Sequence, residues 1–259
     1  MSATANPFVW YELMTTDTAA AQAFYRSVVG WAIADSGMPG HAGYNILSVG
    51  EISIGGLMAL PAEACAMGVP PHWVGYVSVA DVDASAASIQ QAGGSVRVGP
   101  MDIPGVGRFA TVADPHGASF VVFKGNGEAP TPMPPGTPGT VGWHELMAND
   151  GDAAVAFYTQ QFAWKVIDKM DMGPMGQYQM FSTGAGPDTV GGIMSKPPEV
   201  PMAFWQYYVN VPAIDAAVGR ITAGGGKVTN GPMEVPGGQW VVNAQDPQGA
   251  HFSLVAPVR

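Results

Sequence analysis

The chain has 259 residues, 47% hydrophobic and 12% charged, enough for one large domain or two ordinary ones and the opposite of a disordered composition. Its formal net charge of -10 repels phosphate backbones and anionic lipid, so neither nucleic acid nor a membrane is an expected partner. Gly 35 and Pro 23 imply many turns and short elements, which favours β-rich structure over a helix bundle. The lone Cys65 makes no intrachain disulfide; it sits in PAEACAMGVP, which reads as a loop, and is expected to be structural. The opening MSATANPFVWYEL lacks the basic start and apolar run of a signal peptide, and no run reaches the roughly 18 apolar residues of a membrane span. A cytoplasmic protein is the expectation.

In chain order, WYELM alternates as a strand, and Asp17 is placed to cap a helix TAAAQAFYRSVVG, in which Ala20, Phe24 and Val28 share a face. The loop ADSGMPGHAGY (34–44) follows, then strands YNILSVG and EISIGGLMAL. A second half starts with WVGYVSVA. Asp81 or Asp83 opens the helix DASAASIQQAG, which Gly93 and Gly94 close. SVRVGPM, GRFATVA, the turn DPHG and a strand SFVVF complete it. The recurring unit is strand, helix, then three strands.

The whole arrangement then repeats. WYELMTTDTAAAQAFYRSVVGW (10–31) aligns without gaps on WHELMANDGDAAVAFYTQQFAW (143–164), and GPMDIPGVGRFATVADPHGASFVVF (99–123) on GPMEVPGGQWVVNAQDPQGAHFSLV (231–255). GGLM (55–58) matches GGIM (191–194), and YVSVADVDA (76–84) resembles YVNVPAIDA (208–216). The domains expected are a first module at 1–125, a Pro/Gly-rich semi-rigid linker at 126–140 and a second module at 141–259.

The residues that repeat resemble the vicinal oxygen chelate superfamily of glyoxalases, bleomycin resistance proteins and extradiol dioxygenases. They are Asp17 and Asp150, the AFY triplets ending in Tyr25 and Tyr158, Trp31 and Trp164, the VD and ID pairs at Asp83 and Asp215, and the DPxG turns at Asp114 and Asp246. The resemblance implies an α+β fold of two tandem modules, each with two βαβββ units whose curved mixed sheets surround a cavity. In metal-using members a divalent ion sits there on His, Glu or Gln ligands. One fold hosts many chemistries, so the reaction does not follow from the resemblance.

The resemblance also says where those ligands lie. One is seven residues before the helix-opening aspartate, one nine before the aspartate of the VD or ID pair, and one seven after the aspartate of DPxG. Here these places hold Trp10, Val74 and Val121 in the first module, and Trp143, Gln206 and Ser253 in the second. Only Gln206 is a ligand type used in the family, and a tryptophan N–H has no lone pair for a metal. No cofactor is therefore expected; a divalent metal remains conceivable but the ligand positions do not support it.

Strand alternation points Glu12 and Glu145 the same way as Trp10 and Trp143, and turns His144 to the other face beside its counterpart Tyr11. A glutamate in an apolar cavity is either a general base or substrate anchor, or a hydrogen-bonded structural contact between modules. By register Gln206, Tyr208, Asn210, Asn243, His251 and Ser253 share the second cavity, which is better equipped for a polar ligand than the first. Several of them also fit as solvated strand ends. His144 reads as a packing histidine, and His41, His72 and His116 as exposed ones. The loops 34–44 and 171–180, rich in Met, Gly and aromatics, read as lids or as loops packed on the core.

The expected function is metal-independent binding of a small apolar or aromatic molecule, as in sequestration or resistance, with Trp10, Glu12, Trp143, Gln206, Asn210, Asn243 and Ser253 at the ligand. The alternative is an isomerase, lyase or dioxygenase of this superfamily, using Glu145, His251 and Tyr208 for proton transfer or an atypical metal site. The partner expected is a small molecule, with self-association open.

Overall fold

A computed structural model describes residues 5–38, 42–127, 132–185 and 189–259. His41 and part of the linker lie outside the described residues. The first module contains β1 (Phe8–Thr15), α1 (Thr18–Val28), β2 (Ala32–Asp35), β3 (Asn45–Val49), β4 (Ile52–Ala59), α2 (Ala62–Ala66), β5 (His72–Ser78), α3 (Val82–Gln91), β6 (Ser95–Ile103), β7 (Gly107–Ala113) and β8 (Ser119–Gly125). The second contains β9 (Val141–Ala148), α4 (Gly151–Phe162), β10 (Lys165–Asp171), β11 (Gln177–Ser182), β12 (Gly191–Ser195), β13 (Phe204–Asn210), α5 (Ile214–Ala223), β14 (Lys227–Val235), β15 (Gln239–Gln245) and β16 (His251–Ala256). The strands form two eight-stranded mixed sheets, in the orders β2-β3-β4-β1-β5-β8-β7-β6 and β10-β11-β12-β9-β13-β16-β15-β14. Strand, helix and three strands recur four times, as the repeat requires.

Local chemistry accounts for the helix starts. Asp17, Asp81 and Asp150 each accept a hydrogen bond from the backbone N–H three residues on, at 2.9, 3.0 and 3.0 Å. Asp81, not Asp83, is the cap of α3; Asp83 lies in its first turn and pairs with Arg108 at 2.7 Å. The segment around Cys65 is a short helix rather than a loop, with the thiol exposed.

The chain forms two compact units that cut across the sequence repeat. One comprises residues 1–9, 74–132 and 143–205; the other 10–73, 133–142 and 206–259. Each therefore joins the first half of one module to the second half of the other. In the second of these units the core gathers Leu13, Phe24, Val28 and Leu57 from the first module with Val209, Ile214, Phe252 and Leu254 from the second.

Three family signatures meet inside each unit. Tyr25 of the first AFY triplet donates its hydroxyl to Asp246 Oδ2 at 3.1 Å and accepts from Trp73 Nε1 at 3.0 Å. Tyr158 of the second triplet donates to Asp114 Oδ2 at 3.2 Å and accepts from Trp205 Nε1 at 2.9 Å. The other carboxylate oxygen closes the DPxG turn: Asp114 Oδ1 accepts from His116 and Ala118, and Asp246 Oδ1 from Gln248 and Ala250, all at 2.9 Å. These aspartates thus fasten a turn of one module to a helix of the other. Burial raises both carboxyls above the ordinary range, against the pull of these bonds. Tyr158→Phe strips the acceptor from Trp205 and one donor from Asp114, both buried. Unpaired buried polar groups cost about 1–3 kcal/mol each, so the urea midpoint of Tyr158→Phe should fall by a matching amount with little change in m.

Candidate functional site

The repeated WxEL phrase builds a side-chain cluster in each unit, and a tyrosine outside the phrase completes it. Trp143 Nε1 donates to Tyr178 Oη at 2.7 Å, and the Tyr178 hydroxyl is hydrogen-bonded to Glu145. In the other unit Trp10 Nε1 donates to Tyr44 Oη at 3.1 Å, and Tyr44 donates to Glu12 Oε2 at 2.9 Å. Glu12 and Glu145 are buried, 7% and 8% exposed, while the tryptophan and tyrosine rings are half-buried. Burial first, and the adjacent glutamate second, hold both phenols far above their usual pKa. Tyr44 and Tyr178 are thus neutral donors, and each cluster is a half-buried indole and phenol hydrogen-bonded in series to a buried carboxylate.

The glycine pairs GGLM and GGIM explain how the tyrosine reaches. Gly56 lies beside Glu12 in the β1–β4 register, and Gly192 beside Glu145 in β9–β12. A Cβ on Gly192 would come within 2.1 Å of Tyr178 Cζ, and one on Gly56 within 2.0 Å of Tyr44 Oη. The phenol lies in the space the missing Cβ leaves. Neither tyrosine was singled out from the sequence. The available signal was the second glycine of each pair, opposite a glutamate, with an aromatic ending each aligned loop.

Residues 39–41, in the first of the two loops, lie outside the described residues. Residues 171–177 form the tip of the β10–β11 hairpin, whose pairing runs to Asp171–Gln177, and Met172 N–H bonds to Gly176 O at 2.8 Å. Ser36 N–H closes the counterpart onto Tyr44 O at 2.8 Å.

His144 points to the core face. Its Nδ1 donates to Val190 O at 2.7 Å and its ring stacks on Phe8, centroids 4.3 Å apart. Burial pushes its pKa down to about 4, so it is a neutral packing group at ordinary pH. Its counterpart Tyr11 packs edge-on against Tyr207.

The remaining candidates divide. Gln206 Nε2 donates to Ser253 Oγ, which donates to Asn243 Oδ1 at 3.0 Å, so these three form a chain on β13, β16 and β15. Tyr208 is buried and pairs with Ser253 in the strand register. Asn210 is engaged by the linker: its Nδ2 donates to Thr140 O at 3.1 Å and Thr140 Oγ1 at 3.0 Å. His251 is exposed at the start of β16 and accepts from Gln245 Nε2 at 2.8 Å, so it is tied to a strand end rather than to the Gln206 chain. Burial lowers its pKa, partly offset by Asp246. His72 bonds Pro70 O at 2.8 Å, and His116 lies in its turn, half-buried.

The six places where the family carries metal ligands do not offer a matching donor set. Val74 and Val121 are buried hydrocarbon, Trp10 and Trp143 spend their N–H groups on tyrosines, and Gln206 and Ser253 bond each other. Among the described residues no three His, Cys, Asp or Glu side chains gather as a metal cluster. No described helix is long and apolar enough to cross a membrane.

Known proteins share this organisation. The family model described as the Glyoxalase/Bleomycin resistance protein/Dioxygenase superfamily matches residues 8–122 and again 140–254. CFP32 of Mycobacterium tuberculosis, provisionally named a glyoxylase, is 34% identical over 251 residues, which are 96% of this chain and 94% of its own. The anthracycline biosynthesis protein DauV of Streptomyces sp. (strain C5) is 32% identical over 262 residues, covering 95% of this chain and 91% of its own. Among solved structures, the Mn(II)-bound glyoxalase from Novosphingobium aromaticivorans superposes with a TM-score of 0.64 at 19% identity, over 99% of this chain and 83% of that one. At that identity the likeness speaks for the fold.

Proposed function

The chain belongs to the glyoxalase/bleomycin resistance protein/dioxygenase superfamily, and from that premise we propose that it binds a small apolar or aromatic molecule without a metal ion. One observation carries the reading. Twice, at the place where metal-using members keep a ligand, this chain has a tryptophan locked through a tyrosine to a buried glutamate. Such a cluster offers flat rings for stacking and a carboxylate for a polar substituent, and no lone pair from the tryptophan for a metal. The Gln206–Ser253–Asn243 chain adds polar anchors on the second module's strands. The name of DauV, which refers to anthracyclines, supports a fused-ring aromatic class.

Titration with fused-ring aromatic compounds tests this by thermal shift and tryptophan quenching. Trp143→Ala should weaken the best ligand about tenfold, the worth of one well-stacked ring. A full panel without a thermal shift, or an unchanged affinity in both Trp10→Ala and Trp143→Ala, overturns the reading.

Glu145 favours a second reading, an enzyme of the isomerase, lyase or dioxygenase kind. A buried carboxylate bonded to a phenol is a setting for proton transfer, with Tyr208 and His251 as the other titratable candidates. Stoichiometric Fe, Mn, Ni or Zn in the purified protein, with activity lost on its removal, would decide for the atypical-metal form.

A further inference from the structure

The second halves of the two modules share their strands but not the chemistry of one strand face. In the second module Asn243 is the register partner of Ser253 in β15–β16, and Asn230 that of Asn243 in β14–β15, so the three share a face. Gln206, on β13, reaches Ser253 from the next strand. The equivalent places of the first module hold Val121, Thr111, Val98 and Val74, and Val74 and Val121 are buried. The fold therefore stands without polar groups there. Placing them there costs free energy unless each is hydrogen-bonded, and Ser253 is fully buried while Gln206 is 8% exposed.

The chain of bonds leaves both its ends unfinished. A serine hydroxyl has one proton, so Ser253 donates to one amide and accepts from the other. It accepts from Gln206 Nε2 and donates to Asn243 Oδ1 at 3.0 Å. That leaves Gln206 Oε1 as a spare acceptor and Asn243 Nδ2 as a spare donor; among the described residues neither is bonded to a protein group. Turning both amides over swaps the roles and keeps one of each. Asn243 is half-buried and Asn230 exposed, so the row opens to solvent at the edge strand β14. We infer that the Gln206–Ser253–Asn243 triad is a recognition site for the uncharged amide group, a primary carboxamide or a lactam, of a small-molecule ligand. The ligand's carbonyl accepts from one end of the triad while its N–H donates to the other. A ketone completes one end alone, and hydrocarbon neither. The proposal rests on the reading that this face of the second module takes a small molecule, and not on the tryptophan clusters.

The test titrates the full chain with naphthamide, acetonaphthone and ethylnaphthalene, all substituted at the same ring carbon, and reads affinity by thermal shift and ligand-observed NMR. The three share a ring system and nearly a shape, and offer the amide pair, the carbonyl alone or neither. The wild type should hold naphthamide about tenfold more tightly than acetonaphthone, because the ketone leaves a buried acceptor unpaired. Gln206→Val copies Val74 of the first module, and Asn243→Leu removes the other end. Each should lower the ratio of naphthamide to ethylnaphthalene affinity about tenfold relative to the wild type. Should Gln206→Val not fold, Asn243→Leu at its half-buried position decides alone. If the ligands bind but naphthamide does no better than acetonaphthone, the amide site is overturned and the aromatic reading stands. A preference that persists undiminished in both variants arises elsewhere and likewise overturns it. If none of the three binds, the amide site and the reading it rests on fall together.

Discussion

Gly191→Ala is expected to unfold the protein or destabilise it by about 3 kcal/mol or more, at the upper end of overpacking costs. Gly191 pairs with His144 in the parallel β9–β12 register, and a Cβ there would sit 2.1 Å from the His144 carbonyl oxygen. Backbone does not move aside as a side chain does. The other direction is closed by Phe181, whose ring atoms would lie at 2.7 and 2.8 Å and which is stacked on Trp164 at 4.7 Å. Gly192→Ala meets a different obstacle, the Tyr178 ring, which can swing towards solvent. Its cost should be smaller, about 1–2 kcal/mol, and paid mainly as loss of the Trp143–Tyr178–Glu145 cluster. Urea denaturation separates the two: Tyr178→Ala should relieve Gly192→Ala and leave Gly191→Ala unrelieved. Equal costs for both glycines would show that strand spacing, rather than ring placement, sets the requirement at each.

Much of the architecture could be read in advance because its signals are local. Asp17, Asp81 and Asp150 cap the helices they precede, and period-two alternation placed His144 opposite Trp143. The pairing of halves could not be read that way. Tyr25 meets Asp246 rather than Asp114, and Tyr158 meets Asp114 rather than Asp246. Both aspartates sit in DPxG turns of near-identical surroundings, so either pairing satisfies the same hydrogen-bonding chemistry. A repeat hides its partner choice by being a repeat. The site was half legible for a related reason. Glu12 and Glu145 follow from alternation along one strand, whereas Tyr44 and Tyr178 arrive from a neighbouring segment. Their mark is a missing Cβ on Gly56 and Gly192, a gap on a strand further along the chain. His251 was grouped with Ser253 by parity alone, which ignores that a strand's first residue finds its partner at the end of the adjacent strand, here Gln245.

The one departure between the WxEL phrases, His144 for Tyr11, should appear as a pH dependence of stability. Folded, His144 titrates at about 4 because burial disfavours the imidazolium, against the ordinary 6.5 of a solvated histidine. The unfolded chain therefore binds more protons between these values, and stability falls as pH falls. The contribution is intact above pH 6.5, is lost progressively on acidification, and stops changing near pH 4. A gap of 2.5 units corresponds to about 3 kcal/mol in all. Asp114 and Asp246, raised by burial, act in the opposite sense at low pH, since protonation favours the folded state, so the whole-protein curve is shallower than the histidine alone dictates. His144→Phe isolates the contribution of the imidazole. It keeps a ring to stack on Phe8 and gives up the bond to Val190 O, which still accepts from the His144 backbone N–H position at 3.0 Å. At pH 7.5 the variant should be less stable by about 1 kcal/mol, the net worth of one hydrogen bond. The wild type loses about 1.4 kcal/mol per pH unit below 6.5, so the two stability curves should cross at about pH 5.8. Parallel curves from pH 7 to 4 would mean that His144 takes up its proton in the folded state as readily as in water, and that the imidazole is not sealed in the core.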